Sequence, residues 1–124
     1  MIIGIGIDII ELERMSNLTE QQQEKLVHRI LTEEERVIWG SLSRKRQIEF
    51  IAGRFAAKEA LSKALGTGIG AQFSLQDVSI LSQSSGAPVL HWHDNRHADH
   101  IFHLSISHSE HYAVAQVIIE QQNI

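Results

Sequence analysis

The amino terminus is an alternation: Ile3, Ile5, Ile7 and Ile9 occupy every second position, with Gly4, Gly6 and Asp8 between them. Strand residues two apart share a face. The run therefore reads as a β-strand that buries its isoleucines on one side and leaves the other side as bare backbone ending in a carboxylate. Such a strip leaves room for something to approach Asp8, which stability alone would not require.

The remaining elements follow from periodicity and punctuation. Glu11 to Met15 reads as a short helical turn carrying Arg14. A helix is expected from about Glu20, with Leu26, Val27, Ile30 and Leu31 at helical spacing. Thr32 followed by Glu35 is a capping-box pattern that opens the next helix, whose apolar residues are Val37, Ile38 and Trp39. The longest periodic segment runs from about Ser43 to Leu65 and is closed by Gly66. As a helix it would be about 33 Å long. Beyond the loop Gly66 to Gly70 the pattern changes to strands over Leu75 to Leu81, Pro88 to His93, Ile101 to Ser107 and Tyr112 to Glu120, separated by turn-forming residues. The expected class is α+β, an antiparallel sheet packed against a long central helix and shorter helices, in one domain over residues 1–124.

At 124 residues the chain has a small core, so an oligomer that shares buried surface is expected. It has no cysteine, which excludes disulfides, thiolate chemistry and Cys-ligated metals and fits a reducing cytoplasm. The apolar start has no basic flank and carries Asp8, unlike a signal peptide. No apolar run approaches the roughly 20 residues that span a bilayer, so no membrane is expected. The net charge of −4 argues against nucleic acid, yet every Lys and Arg except Arg96 lies between Arg14 and Lys63. A basic face on a mildly acidic protein is one reading of Arg14, Lys25, Arg29, Arg44 and their neighbours; solvated helix surface is the other.

Phe55, Glu59 and Lys63 are four apart and share a face of the long helix, with Ala52 and Ala56 beside them keeping it shallow. Taken alone, Glu59 and Lys63 form an ordinary helix ion pair. Beside Asp8, the same residues suit magnesium, which takes oxygen ligands and is commonly held by one or two carboxylates plus a substrate phosphate. Lys63 would then add positive charge. The Gly66 to Gly70 loop lacks a Walker A ending, and its roles are helix termination or approach of backbone amides to a phosphate. Among the histidines, His91, His93, His97, His100 and His103 invite a zinc reading, but their spacing matches no common zinc pattern. His108 ends a strand amid hydroxyls, where it either donates to a phosphate or serves a turn.

Four stretches carry a resemblance that runs essentially end to end: Gly4 to Asp8, Arg29 to Thr32, Glu49 to Ala60 continuing through Lys63 to Gly70, and Leu104 to Ser109. Together they resemble the holo-acyl-carrier-protein synthases, the short 4'-phosphopantetheinyl transferases of bacterial fatty-acid synthesis. The resemblance implies transfer of the phosphopantetheine arm from coenzyme A to a serine of apo-acyl carrier protein, with release of adenosine 3',5'-bisphosphate. It implies that Asp8 and Glu59 hold magnesium, with manganese as a possible substitute, and that Lys63 neutralises charge on the phosphate. A carboxylate near the metal or a bound water would take the serine proton.

By the same resemblance Gly66, Gly68, Ser107 and His108 lie near the coenzyme A phosphates, Arg54 lies on the nucleotide side, and Pro88 shapes the adenine pocket. The family often has Gly-Lys-Pro where this chain reads Gly86-Ala87-Pro88, which removes one expected cation. Arg14 would dock the acidic carrier, supported by Lys25, Arg29 and Arg44. The family is trimeric, with sites at subunit boundaries. Two other readings keep parts of this chemistry: hydrolysis of a nucleotide diphosphate, and a His-rich metal-binding or interaction module without catalysis.

Overall fold

The computed structural model describes residues 1–122. The element order is β1 (Ile2–Glu11), α1 (Leu12–Ser16), α2 (Glu20–Ile30), α3 (Glu33–Gly40), α4 (Arg44–Leu65), β2 (Val78–Ser82), β3 (Pro88–Trp92), β4 (His100–His108) and β5 (Tyr112–Gln121). All strand pairing is antiparallel, divided between a three-stranded sheet ordered β1-β5-β4 and a two-stranded β2-β3 hairpin. The first strand thus pairs with the last. The expected strand from Leu75 starts only at Val78, because Asp77 closes a turn, its amide donating to the Ser74 carbonyl and its carboxylate accepting from the Ser74 amide.

Local sequence explains the helix boundaries. Thr19 and Thr32 each form a complete capping box, with Gln22 and Glu35 respectively, and Ser43 caps α4. Gly66 ends α4 in the left-handed region at φ 77°, a conformation that favours glycine. Buried residues lie all round α4, including Phe50, Ile51, Ala56, Ala57, Ala60 and Leu61, as befits a central helix enclosed by other elements.

The two faces of β1 reverse the expectation from its sequence. Ile3, Ile5, Ile7 and Ile9 are 49%, 62%, 58% and 61% exposed, while the glycine strip is the face that packs inward. A Cβ built on Gly4 would stand 2.2 Å from the Ala64 carbonyl oxygen, and one on Gly6 would stand 2.0 Å from that of Ala60. The bare strip exists to admit a helix backbone. Ala60 and Ala64 of α4 form that contact, and Ala52 and Ala56 are fully buried and do not form the shallow open face their spacing suggested.

A buried ion pair fastens the helices to this core. Lys58 Nζ donates to Glu35 Oε1 at 2.7 Å, to the Ile30 carbonyl at 2.7 Å and to the Leu75 carbonyl at 2.8 Å, so all three of its protons are used. Glu35 in turn accepts from the amides of Thr32 and Ile80, both at 2.8 Å. Neither side chain is exposed.

Candidate active site

The close approach of β1 to α4 brings Asp8 to the side of the helix that carries Glu59 and Lys63. Lys63 Nζ donates to Asp8 Oδ1 at 3.0 Å and to the Ile7 carbonyl at 3.1 Å. Thus Lys63 pairs across to the strand, and not with Glu59 along its own helix. The Lys63 side chain is 53% exposed, so this pair is weakly held and easily rearranged by a ligand. Asp8 Oδ2 is buried and has no hydrogen-bond partner. Burial pushes the Glu59 carboxyl above its ordinary value and the Asp8 carboxylate pushes it further, with Lys63 and Arg29 partly opposing. Two acids held close, one with an orphaned oxygen, make a donor set that a hard divalent cation would satisfy.

A second group lies elsewhere on α4. The His108 imidazole rests on Gly53, where a Cβ would come within 3.0 Å of His108 Nε2. Arg54 stacks its guanidinium 4.0 Å over the Phe50 ring and donates from Nε to the Ile80 carbonyl at 3.2 Å. Arg54, His108, Arg46 and Ser82 share a cleft of about 330 Å³. His108 also borders a larger cleft of about 710 Å³ with Lys45 and Ser109. Five helical residues separate Arg54 from Glu59, which turns them about 140° apart around the axis. One chain therefore presents its acids and this cationic cleft on different sides. Ser107 alternates with His108 along β4 and so faces away from Gly53, on the exposed side of the sheet opposite Val114.

Three of the four basic candidates for docking line one groove of about 500 Å³: Arg14, Lys25 and Arg29, with Met15 and Phe55 as its apolar part. Phe55 lies one helical turn from Glu59, so the groove leads toward the acids. Arg44 lies apart, donating to the Gln23 side chain. In the glycine loop, the amides of Gly66 and Gly68 donate back to carbonyls of Ser62 and Lys63, so they finish the helix; open space surrounds both glycines. Pro88 lines a cleft of about 510 Å³ between β3 and β4, together with His97 and His100. Among the described residues no group of three or more His, Asp or Glu is arranged to hold a metal, so the geometry lends the histidine zinc reading no support.

Comparison with known proteins identifies the family. The 4'-phosphopantetheinyl transferase superfamily matches residues 4–117. A holo-[acyl-carrier-protein] synthase of Anoxybacillus flavithermus is 55% identical over 121 residues, covering 98% of each chain. The chain belongs to the holo-[acyl-carrier-protein] synthase family. A crystal structure of the Bacillus anthracis synthase in complex with CoA (3',5'-ADP) superposes with a TM-score of 0.87 at 51% identity, covering 98% of this chain and 99% of that one. The Helicobacter pylori synthase in complex with coenzyme A gives 0.81 at 32% identity, over 94% and 99%.

One residue that builds this candidate synthase site and one that holds the core behind it have roles the sequence does not disclose. Gly53 seats His108, and a lone glycine inside a helix pattern was the available signal. Lys58 stood within the quoted helix motif, but nothing local to it distinguishes a buried strut from a surface lysine.

Proposed function

We propose that the protein is a phosphopantetheinyl transferase acting as one domain over residues 1–124, moving the 4'-phosphopantetheine arm of coenzyme A onto a serine hydroxyl of apo-acyl carrier protein in fatty-acid biosynthesis. The supporting observation is the meeting of Asp8 and Glu59, with Asp8 Oδ2 buried and unpartnered, at the end of a basic groove. Asp8 and Glu59 would hold magnesium, or manganese in its place, and a bound ion would supply Lewis-acid polarisation of the coenzyme A diphosphate.

The chain's own groups do the rest. Lys63, freed from its exposed pair with Asp8, neutralises charge developing on the phosphate as the bridging bond breaks. Arg54 and His108, with Arg46 and Lys45 near them, offer donors to the nucleotide phosphates. Gly66 and Gly68 leave space at the end of α4 for the diphosphate to approach, and Pro88 shapes the base pocket. Ala87 leaves the base side without the lysine common in the family. Arg14, Lys25 and Arg29 receive the acidic carrier and orient its serine toward the acids, with Arg44 as an outlying contact.

The working form in this proposal is a cytoplasmic homotrimer. The exposed isoleucine face of β1 supports it, and so does the separation of the two groups around α4, since a neighbouring copy would bring one chain's cationic cleft to another's acids. No helix among the described residues is long and apolar enough to cross a membrane. The deciding experiment is mass spectrometry of apo-carrier after incubation with the protein, coenzyme A and magnesium. Gain of the phosphopantetheine mass supports transfer; bisphosphate release without carrier modification supports hydrolysis instead.

A further inference from the structure

A groove between α2, α3 and the start of α4 contains, of the residues assigned above, only Arg44. It encloses about 610 Å³, within the range of small-molecule sites. Val27 forms an apolar floor and the Trp39 indole a wall. Gln23 is only 7% exposed, and its Nε2 is buried without a hydrogen-bond partner; Trp39 Nε1 is buried and unpartnered as well. The Gln23 amide is fixed in this sense, because its Oε1 accepts from Arg44 and the amino end must therefore be the free one.

Two main-chain acceptors nearby are already used. The Trp39 carbonyl accepts from Gln47 Nε2 at 3.0 Å, and the Leu31 carbonyl from Arg36 Nη1 at 2.7 Å. Gln23, Trp39, Arg36 and Arg44 thus leave donor capacity beside a partly apolar space, with His28 and the Gln47 amide oxygen also on its border. Glu20 and Glu24 also line the groove but are exposed to water.

We infer that this groove binds a small monocarboxylate with a flat or apolar body. The carboxylate accepts from Gln23 Nε2, Trp39 Nε1 and a guanidinium, and the body lies against Val27 and the indole. A planar carboxylate matches the arginine fork, whereas the two nearby glutamates disfavour the higher charge of a phosphate. Apart from Arg44, the site shares no residue with the transferase reading. It occupies the side of α2 opposite the basic groove, since Gln23, Glu24 and Val27 line one and Gln22, Lys25, Leu26 and Arg29 the other.

The test titrates the 15N-labelled full chain with 4-phenylbutyrate and, separately, with its neutral analogue 4-phenylbutyramide. The expected result is a saturable shift of the Trp39 indole N–H and the Gly40 amide, with the carboxylate binding about tenfold tighter than the amide. The Trp92 indole serves as internal control and stays fixed. Trp39→Phe and Gln23→Leu, each with an otherwise unchanged dispersed spectrum, should weaken binding about fivefold or more, read at Gly40. Absence of a saturable shift by about 10 mM, equal affinity for the amide, or unchanged binding in both variants would overturn the site.

Discussion

Glu59 stands where its ionised form works against the metal-free fold. Its carboxyl is raised first by burial and then by Asp8. A carboxyl with a raised folded-state pKa favours the fold while protonated, and that contribution is lost as pH rises through the raised value. At neutral pH the ionised Glu59 therefore weighs against the metal-free protein. Glu59→Gln should lower transfer by about 10²-fold or more while raising the melting temperature by roughly 1–3 °C. Differential scanning calorimetry at pH 7.5 without divalent ions reads the second effect, and it should shrink as the pH is taken down to about 4. A variant melting below wild type at pH 7.5 would show that Glu59 is not strained by its neighbour. Arg14 poses the complementary question, because it lies in the groove and not beside the acids. Arg14→Ala should raise KM for the carrier several-fold more than KM for coenzyme A, and added salt should imitate it; equal changes in both constants contradict a docking role.

At the scale of elements, the contact between β1 and α4 is set by glycine and not by hydrophobic volume. Gly6→Ala places a methyl 2.0 Å from the Ala60 carbonyl oxygen, a backbone atom that moves only if the helix moves. A loss of about 3 kcal/mol is expected in urea unfolding. Gly70→Ala is the control: nothing lies within 4 Å of its Cβ position, and a change beyond about 0.5 kcal/mol there would undermine the steric account. The same contact marks the limit of what the sequence disclosed. Alternation placed Asp8 on the glycine face, and the Thr32 and Glu35 pattern located α3. What alternation lacks is the identity of the partner on each face, so the isoleucines were assigned inward when α4 fills the other side. Lys58 was invisible for a related reason: Glu35, Ile30 and Leu75 are distant in sequence, and only the fold gathers them. Lys58→Met should cost about 3–5 kcal/mol by leaving Glu35 charged and unpaired in the core. The double variant Lys58→Met, Glu35→Gln should recover part of that loss, and strict additivity in the cycle would mean that the pair is not coupled.

For the whole molecule, the exposed side of the β1-β5-β4 sheet is where the chain is least self-sufficient. Ile3, Ile5, Ile7 and Ile9 form a continuous row along β1, and the register sets Ile118 beside Ile5 and Val114 beside Ile9. Contiguous apolar surface of this kind marks association between chains. In the proposed assembly the 140° between Arg54 and Glu59 would give association a chemical purpose, because a ligand could reach both groups from different copies. Wild-type protein should therefore sediment at about three times its 14.0 kDa chain mass. Ile5→Lys should sediment as one chain at micromolar concentration, with the far-ultraviolet circular dichroism of wild type, since Ile5 points away from α4. Transfer activity should fall with it by about 10²-fold or more, although Asp8, Glu59 and Lys63 remain intact. A monomeric Ile5→Lys that keeps wild-type kcat/KM would show that each chain completes its own site, and the assembly would then lose its catalytic rationale.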